Sequence, residues 1–175
     1  MLLTGRTGVG KTTVCERVVA LLKERGIGCV GVISKEVRSS NSRYRVGFQF
    51  IDIETGDYFQ LASINPIPGC SARVGKYFVN VPQVERAARL LEDGKGRAQV
   101  LVVDELGPME LKCYRFQQVV QCLLSLNKPI VLTVHRNLAS KYPTVLEVNE
   151  DNRDTLPTRI CDQIVAALQS SGKSL

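Results

Sequence analysis

The 175-residue chain has no tryptophan, a single histidine, two methionines and no long apolar run. A membrane-spanning helix needs roughly 20 consecutive apolar residues, and stretches such as Val100 to Val103 stop far short of that. One histidine and six cysteines without a Cys-x-x-Cys pair do not make a zinc set at any recognised spacing. Cys15, Cys29, Cys70, Cys113, Cys122 and Cys161 therefore read as buried thiols. The amino terminus, Met-Leu-Leu-Thr-Gly-Arg-Thr-Gly, lacks the basic and apolar regions of a secretory leader, so the expectation is a cytoplasmic protein with no membrane association. Neither internal repeats nor low-complexity tracts occur.

What is present is ordinary globular material: 44% hydrophobic and 23% charged residues. A chain of this length buries about 70% of its unfolded surface, enough for one domain over 1–175 without a covalent or metal staple. The 23 basic against 17 acidic residues leave +6, which suits anionic ligands from nucleotides to nucleic acid and names none.

Periodicity predicts alternating strands and helices. Strands are expected at 1–4, 29–34, 100–103 and 129–134, and helices at 11–25, 82–92, 114–126 and 157–168. Val14, Val18, Leu21 and Leu22 carry the first helix, with Gly26 beyond it. Between 43 and 63 the period becomes two, with Tyr44, Val46, Phe48 and Phe50 alternating and Glu54-Thr55-Gly56-Asp57 as a turn, and the aromatics Tyr44, Phe48 and Phe50 read as hairpin core rather than base-stacking platforms. This is a β-hairpin inserted, over about 35–80, into an α/β chain, with another strand expected at 76–81. The fold class is a mostly parallel sheet flanked by helices, whose ligands bind at the carboxyl ends of the strands.

Gly5-Arg6-Thr7-Gly8-Val9-Gly10-Lys11-Thr12 matches Gly-x-x-x-x-Gly-Lys-Ser/Thr, a phosphate-binding P-loop (Walker A), directly after a strand and opening a helix. In that context unpaired N–H groups and the positive end of the helix dipole converge on phosphate oxygens. Gly5, Gly8 and Gly10 let the backbone come close, Lys11 reaches the β- and γ-phosphates, and the Thr12 hydroxyl ligates Mg²⁺. Thr13 reads as helix filler.

Val100-Leu101-Val102-Val103-Asp104-Glu105 is a buried strand ending in two acids, the layout of a Walker B segment. Asp104 is placed to hold the metal and Glu105 to polarise an attacking water. Asp104-Glu105-Leu106-Gly107 also fits the Asp-x-x-Gly element of G proteins, which puts Leu106 and Gly107 beside the nucleotide. The matching guanine selector is missing: Asn127-Lys128-Pro129-Ile130 lacks its acid. Arg136, after the fourth strand, is a candidate for stabilising charge at the γ-phosphate, whereas His135 reads as a structural hydrogen bonder. Lys35, Arg38, Arg43, Arg45, Arg73 and Lys76 make a basic rim on the insert, a solvated face or a weak nucleic-acid contact. Asn152 and Arg153 are candidates for bordering a base pocket.

In this order these elements resemble a small family of P-loop nucleoside-triphosphatases, the thermophile type that includes a cancer-related human member. The resemblance spans nearly the whole chain, and its most specific string is Asp-Glu-x-Gly-x-Met-Glu-Leu, Asp104 to Leu111. It implies a RecA-like domain that hydrolyses ATP, GTP and other nucleoside triphosphates with Mg²⁺, slowly and with little base preference. It also implies that Gly5 to Thr12 bind phosphate and metal and that Asp104 and Glu105 serve metal and water. The family's loop has two prolines where Arg6 and Thr7 stand, and often a lysine where Pro108 stands. Lys76, Arg136 or Arg6 must then supply that charge, or hydrolysis is slower. The alternatives are a nucleoside or nucleotide kinase and a nucleic-acid-associated ATPase, and a monomer is expected.

Overall fold

The computed structural model describes residues 1–41 and 44–171, so Arg43 of the basic rim lies outside the described residues. Its strands are β1 (Leu2–Thr4), β2 (Cys29–Arg38), β3 (Arg45–Asp52), β4 (Tyr58–Ser63), β5 (Arg73–Val74), β6 (Tyr77–Val79), β7 (Val100–Leu106), β8 (Ile130–Val134) and β9 (Leu146–Glu147). Its helices are α1 (Lys11–Glu24), α2 (Val81–Gly94), α3 (Tyr114–Leu124) and α4 (Leu156–Ser171), with 3₁₀ turns at Glu110–Lys112 and Arg136–Lys141.

All the strands form one sheet in the order β5-β6-β4-β3-β2-β7-β8-β1-β9. From β2 to β9 the neighbours are parallel. From β2 outward to β5 they are antiparallel. The sheet is thus mixed: the parallel half is the α/β core, and the insert extends it as an antiparallel wing. The hairpin is β3–β4, and a second, shorter one, β5–β6, docks against β4.

Period-two alternation divides the core between the two faces of the sheet. In β7, Val100 and Val102 pack with Val14, Val18, Leu22, Ile160 and Ile164 of α1 and α4, and all but Ile164 of these are within 1% of complete burial. Leu101 and Val103 face the other way, into Val84, Ala87, Leu91, Phe116 and Leu123 of α2 and α3. A strand covered on both faces reads as a continuous apolar run, which is why the period of Val100–Val103 points to a strand of this kind. Emptying one such site, as in Leu101→Ala, costs about 2–5 kcal/mol. Pro82 sits in the first turn of α2, where its missing N–H is harmless.

Three expectations shift. Phe50 is fully buried and Phe48 partly so, but Tyr44 precedes β3 and is 77% exposed. Cys15, Cys29, Cys113 and Cys161 are buried, whereas Cys70 is half-buried and Cys122 exposed. The two-residue strands β5 and β9 are too short to show a period. Because β1, β7 and β8 are parallel neighbours, the segments following them emerge at one edge of the sheet.

Candidate active site

At that edge residues 5–10 join β1 to α1. Gly10 is the helix N-cap, at φ 113°, a backbone a side chain strains to adopt. It offers no capping side chain, and the first turn of α1 carries no acid. The free N–H groups of the helix start therefore remain available to an anion. Lys11 is only 8% exposed and lies along the concave loop, its ammonium donating to the carbonyls of Gly5 (3.0 Å) and Arg6 (3.2 Å).

The other loop positions divide. Gly8, Thr7, Thr12 and Thr13 line the cleft that opens from here. The Val9 side chain is a core residue, so only its backbone belongs to the loop. Arg6 turns outward to pair with Glu150 at 3.1 Å, both exposed, and does not line the cleft.

The acids arrive on β7 through a β-bulge. Val103 pairs with Leu132 and Leu106 with Val134, so three steps on β7 oppose two on β8. A bulge re-aims the side chains inside it. Asp104 is fully buried and accepts a hydrogen bond from the Thr133 hydroxyl at 2.6 Å through Oδ1, while Oδ2 has no hydrogen-bond partner. Burial pushes its carboxyl up to about 6, against the opposing pull of the Thr133 and Thr12 hydroxyls. Glu105 lines the cleft, and burial raises its pKa while the Lys11 charge lowers it. Leu106 is a core side chain whose carbonyl accepts from the His135 N–H.

Glu110 is the residue that reasoning from spacing missed. It is 4% exposed, lines the cleft, and accepts a hydrogen bond from the Gly107 N–H at 3.1 Å. Burial pushes its carboxyl up to about 8, and the charges of Glu105 and Asp104 add to the rise. A Cβ on Gly107 would stand 3.1 Å from Glu105 Oε1 and 3.2 Å from Glu110 Oε2, so a side chain there would push both carboxyls back from this turn by a few tenths of an ångström. The one signal for Glu110 was its place in the Asp-Glu-x-Gly-x-Met-Glu-Leu string.

His135 lines the cleft and accepts the Asn137 N–H through Nδ1. Burial lowers its pKa, helped by the charges of Lys11 and Arg136, which suits a neutral structural role. Arg136 is exposed, and it is not among the residues lining the cleft. On the loop's other flank Arg153 donates to the Val9 carbonyl at 3.4 Å, and the Asn152 amide is engaged with Glu147 and Asn149.

The basic rim is largely paired. Lys35 meets Glu16 at 2.5 Å, Arg38 and Arg45 both meet Glu36, and Arg73 stacks on Phe78 and Lys76 on Tyr77. Lys35, Arg38, Arg45 and Lys76 line the same cleft, whose volume is about 730 Å³. Of the cations considered as replacements for a lysine at Pro108, Lys76 alone faces it.

A strand, a glycine loop opening an uncapped helix and a buried acidic pair at a neighbouring strand end define a P-loop nucleotide-binding α/β protein. A family model described as NTPase matches residues 1–161. The nucleoside-triphosphatase THEP1 of Methanopyrus kandleri is 36% identical over 97% of each chain. That of Thermofilum pendens is 37% identical over 94% of each. The crystal structure of THEP1 from Aquifex aeolicus superposes with a TM-score of 0.79 at 27% identity, covering 94% of this chain and 98% of that one. The solution structure of a human cancer-related nucleoside triphosphatase gives 0.72 at 31% identity, covering 98% and 97%. The chain belongs to the THEP1 nucleoside-triphosphatase family.

Proposed function

We propose that this protein is a Mg²⁺-dependent hydrolase of the β–γ phosphoanhydride bond that accepts ATP, GTP and other nucleoside triphosphates slowly and with broad base tolerance. The observation that supports it most is the meeting of the uncapped start of α1 and Lys11 with Glu105, which lines the same cleft, and with Asp104, buried beside the Thr12 and Thr133 hydroxyls.

The acids lie on the β7 side of the loop and Arg153 on the β9 side, so a triphosphate gripped by the N–H groups of α1 directs its γ-phosphate toward β7. The nucleoside then lies toward Arg153. Asn152 already uses its amide within the chain, leaving a guanidinium face that any base can stack against. That is the physical ground for broad base tolerance.

A buried carboxylate oxygen without a donor, beside the Thr12 hydroxyl, is the hard-oxygen setting that a magnesium ion takes up next to phosphates. Asp104 and Thr12 would hold it, and a magnesium ion there would supply positive charge against the phosphates. Lys11 leaves the carbonyls of Gly5 and Arg6 for the phosphates. Glu105 accepts a proton from the attacking water, whose oxygen bonds to the γ-phosphorus as the bond to the bridging oxygen breaks. Its raised pKa makes it a stronger base than an exposed glutamate. Lys76 is the cleft cation nearest in role to the missing lysine, and Arg136, outside the cleft lining, is the weaker candidate for that charge.

The test is phosphate release from ATP, GTP, CTP and UTP with and without Mg²⁺ and single-stranded RNA. Release is expected from all four, within about tenfold of one another, and to stop on chelation. Strong stimulation by RNA, with steep salt sensitivity, would favour the nucleic-acid-associated ATPase instead.

A further inference from the structure

The cleft of about 730 Å³ does not end at the P-loop and Glu105 but continues along the insert to Arg45, Phe48, Lys76 and Tyr77, and its volume is within the usual range for a small-molecule pocket. Its outer wall is carried by β3 and by the turn into β6, four and six strand positions from β1. Both belong to the insert, on the opposite side of β2 from the strands β1, β7 and β8 that frame the P-loop. In-line displacement brings the nucleophile from the side opposite the leaving oxygen, and that side is this outer cleft.

The wall there is built from a few side chains with a definite chemistry. Phe48 and Tyr77 meet edge to face, with centroids 5.2 Å apart at 71°, and offer ring surface to the cleft. Arg45 lies 5.2 Å from the Phe48 ring centroid, shares Glu36 with Arg38, and keeps a buried Nε without a hydrogen-bond partner. Lys76 is exposed and sits 5.4 Å from the Tyr77 ring. Aromatic edges beside incompletely answered cations recognise a flat ring attached to an anion.

We propose that the outer half of the cleft binds a nucleoside monophosphate, which accepts the γ-phosphoryl group in competition with water. The proposal rests on the placement of the γ-phosphate given above. An oxygen of the acceptor's phosphate bonds to the γ-phosphorus while the bond to the β-phosphate's bridging oxygen breaks. The nucleoside diphosphate leaves with that electron pair, and the acceptor becomes a second diphosphate. A monoester dianion brings no proton to the reaction, so transfer, unlike hydrolysis, does not need Glu105 as a base.

The experiment follows γ-radiolabelled ATP with AMP, GMP, CMP, UMP and dTMP at millimolar concentration, separating labelled diphosphate from labelled phosphate in the same tube. At least one monophosphate is expected to give a labelled diphosphate that grows with its concentration at the expense of phosphate. Glu105→Gln is expected to lower hydrolysis by roughly a hundredfold and transfer far less. Tyr77→Ala, and Tyr77→Leu as the variant that keeps packing volume, are expected to lower transfer by roughly tenfold through lost base stacking, with hydrolysis lowered far less. Lys11→Ala is expected to lose both. Normal phosphate release with no labelled acceptor overturns the proposal and leaves the hydrolase intact, whereas absence of phosphate release overturns the hydrolase reading itself. Equal loss of hydrolysis and transfer in both Tyr77 variants, or transfer persisting in Lys11→Ala, also overturns the proposal.

Discussion

Replacing Glu110 by glutamine should stabilise the nucleotide-free protein, by an amount that depends on pH. Glu110 is 4% exposed, with its carboxyl pushed from 4.5 to about 8 by burial and by the neighbouring acids. An acid with a raised folded pKa holds its proton in the native state after the unfolded chain has released it. Stability therefore falls as pH climbs from about 4.5 through about 8, and the loss is complete above that. At pH 7 the unfolded glutamate lies about 2.5 units above its pKa and the folded one is still protonated, a difference of roughly 3 kcal/mol at 1.36 kcal/mol per unit. Glutamine keeps an oxygen for the Gly107 N–H and has nothing to ionise. At about 2–4 °C per kcal/mol for a chain of this size, Glu110→Gln should melt roughly 6–12 °C higher at pH 7. Urea unfolding of both proteins from pH 5 to 9 measures the gap directly: small at pH 5, widening to about pH 8, then level. A gap independent of pH, or a wild type more stable than the variant at pH 8, would show that the native fold does not hold Glu110 protonated.

Two other substitutions probe the same turn and its metal side. Gly107→Ala places a methyl 3.1 and 3.2 Å from the Glu105 and Glu110 oxygens, and displacing them by a few tenths of an ångström should lower kcat roughly tenfold with nucleotide affinity little changed. Steady-state kinetics alongside binding calorimetry checks this, and wild-type turnover would mean that the carboxyls need not sit so close. Asp104→Asn keeps the bond from Thr133 but sets an amide donor where a bare oxygen stood, so the Mg²⁺ concentration giving half-maximal phosphate release should rise by about tenfold or more. An unchanged metal titration would remove Asp104 from the metal's ligands.

Much of this molecule is legible in its sequence because the informative residues obey local rules. The strand–glycine loop–helix sequence from Leu2 to Leu22 and the doubly buried run Val100–Val103 each declare their backbone by period, and the acids follow directly. What stays hidden depends on contacts between distant segments. Glu110 has no motif of its own; burial beneath the Gly107 turn makes it a raised-pKa acid. The bulge at Asp104–Glu105 exists only relative to β8. Lys35, Arg38 and Arg45, read as part of a rim, are paired residues of the cleft wall, because Glu16 and Glu36 reach them from α1 and β2. The alternation predicting Tyr44 as core failed because the strand begins one residue later.

The proposal that the loop before α1 grips the triphosphate while Glu105 activates the water that cleaves it is open, in both halves, to one experiment. MgATP binding by calorimetry is measured together with phosphate release, in the wild type and in Glu105→Gln. The variant is expected to bind MgATP within about threefold of the wild type and to turn over roughly 10²–10⁴-fold more slowly. Near-normal turnover in Glu105→Gln, or the absence of binding heat in both proteins, would contradict it.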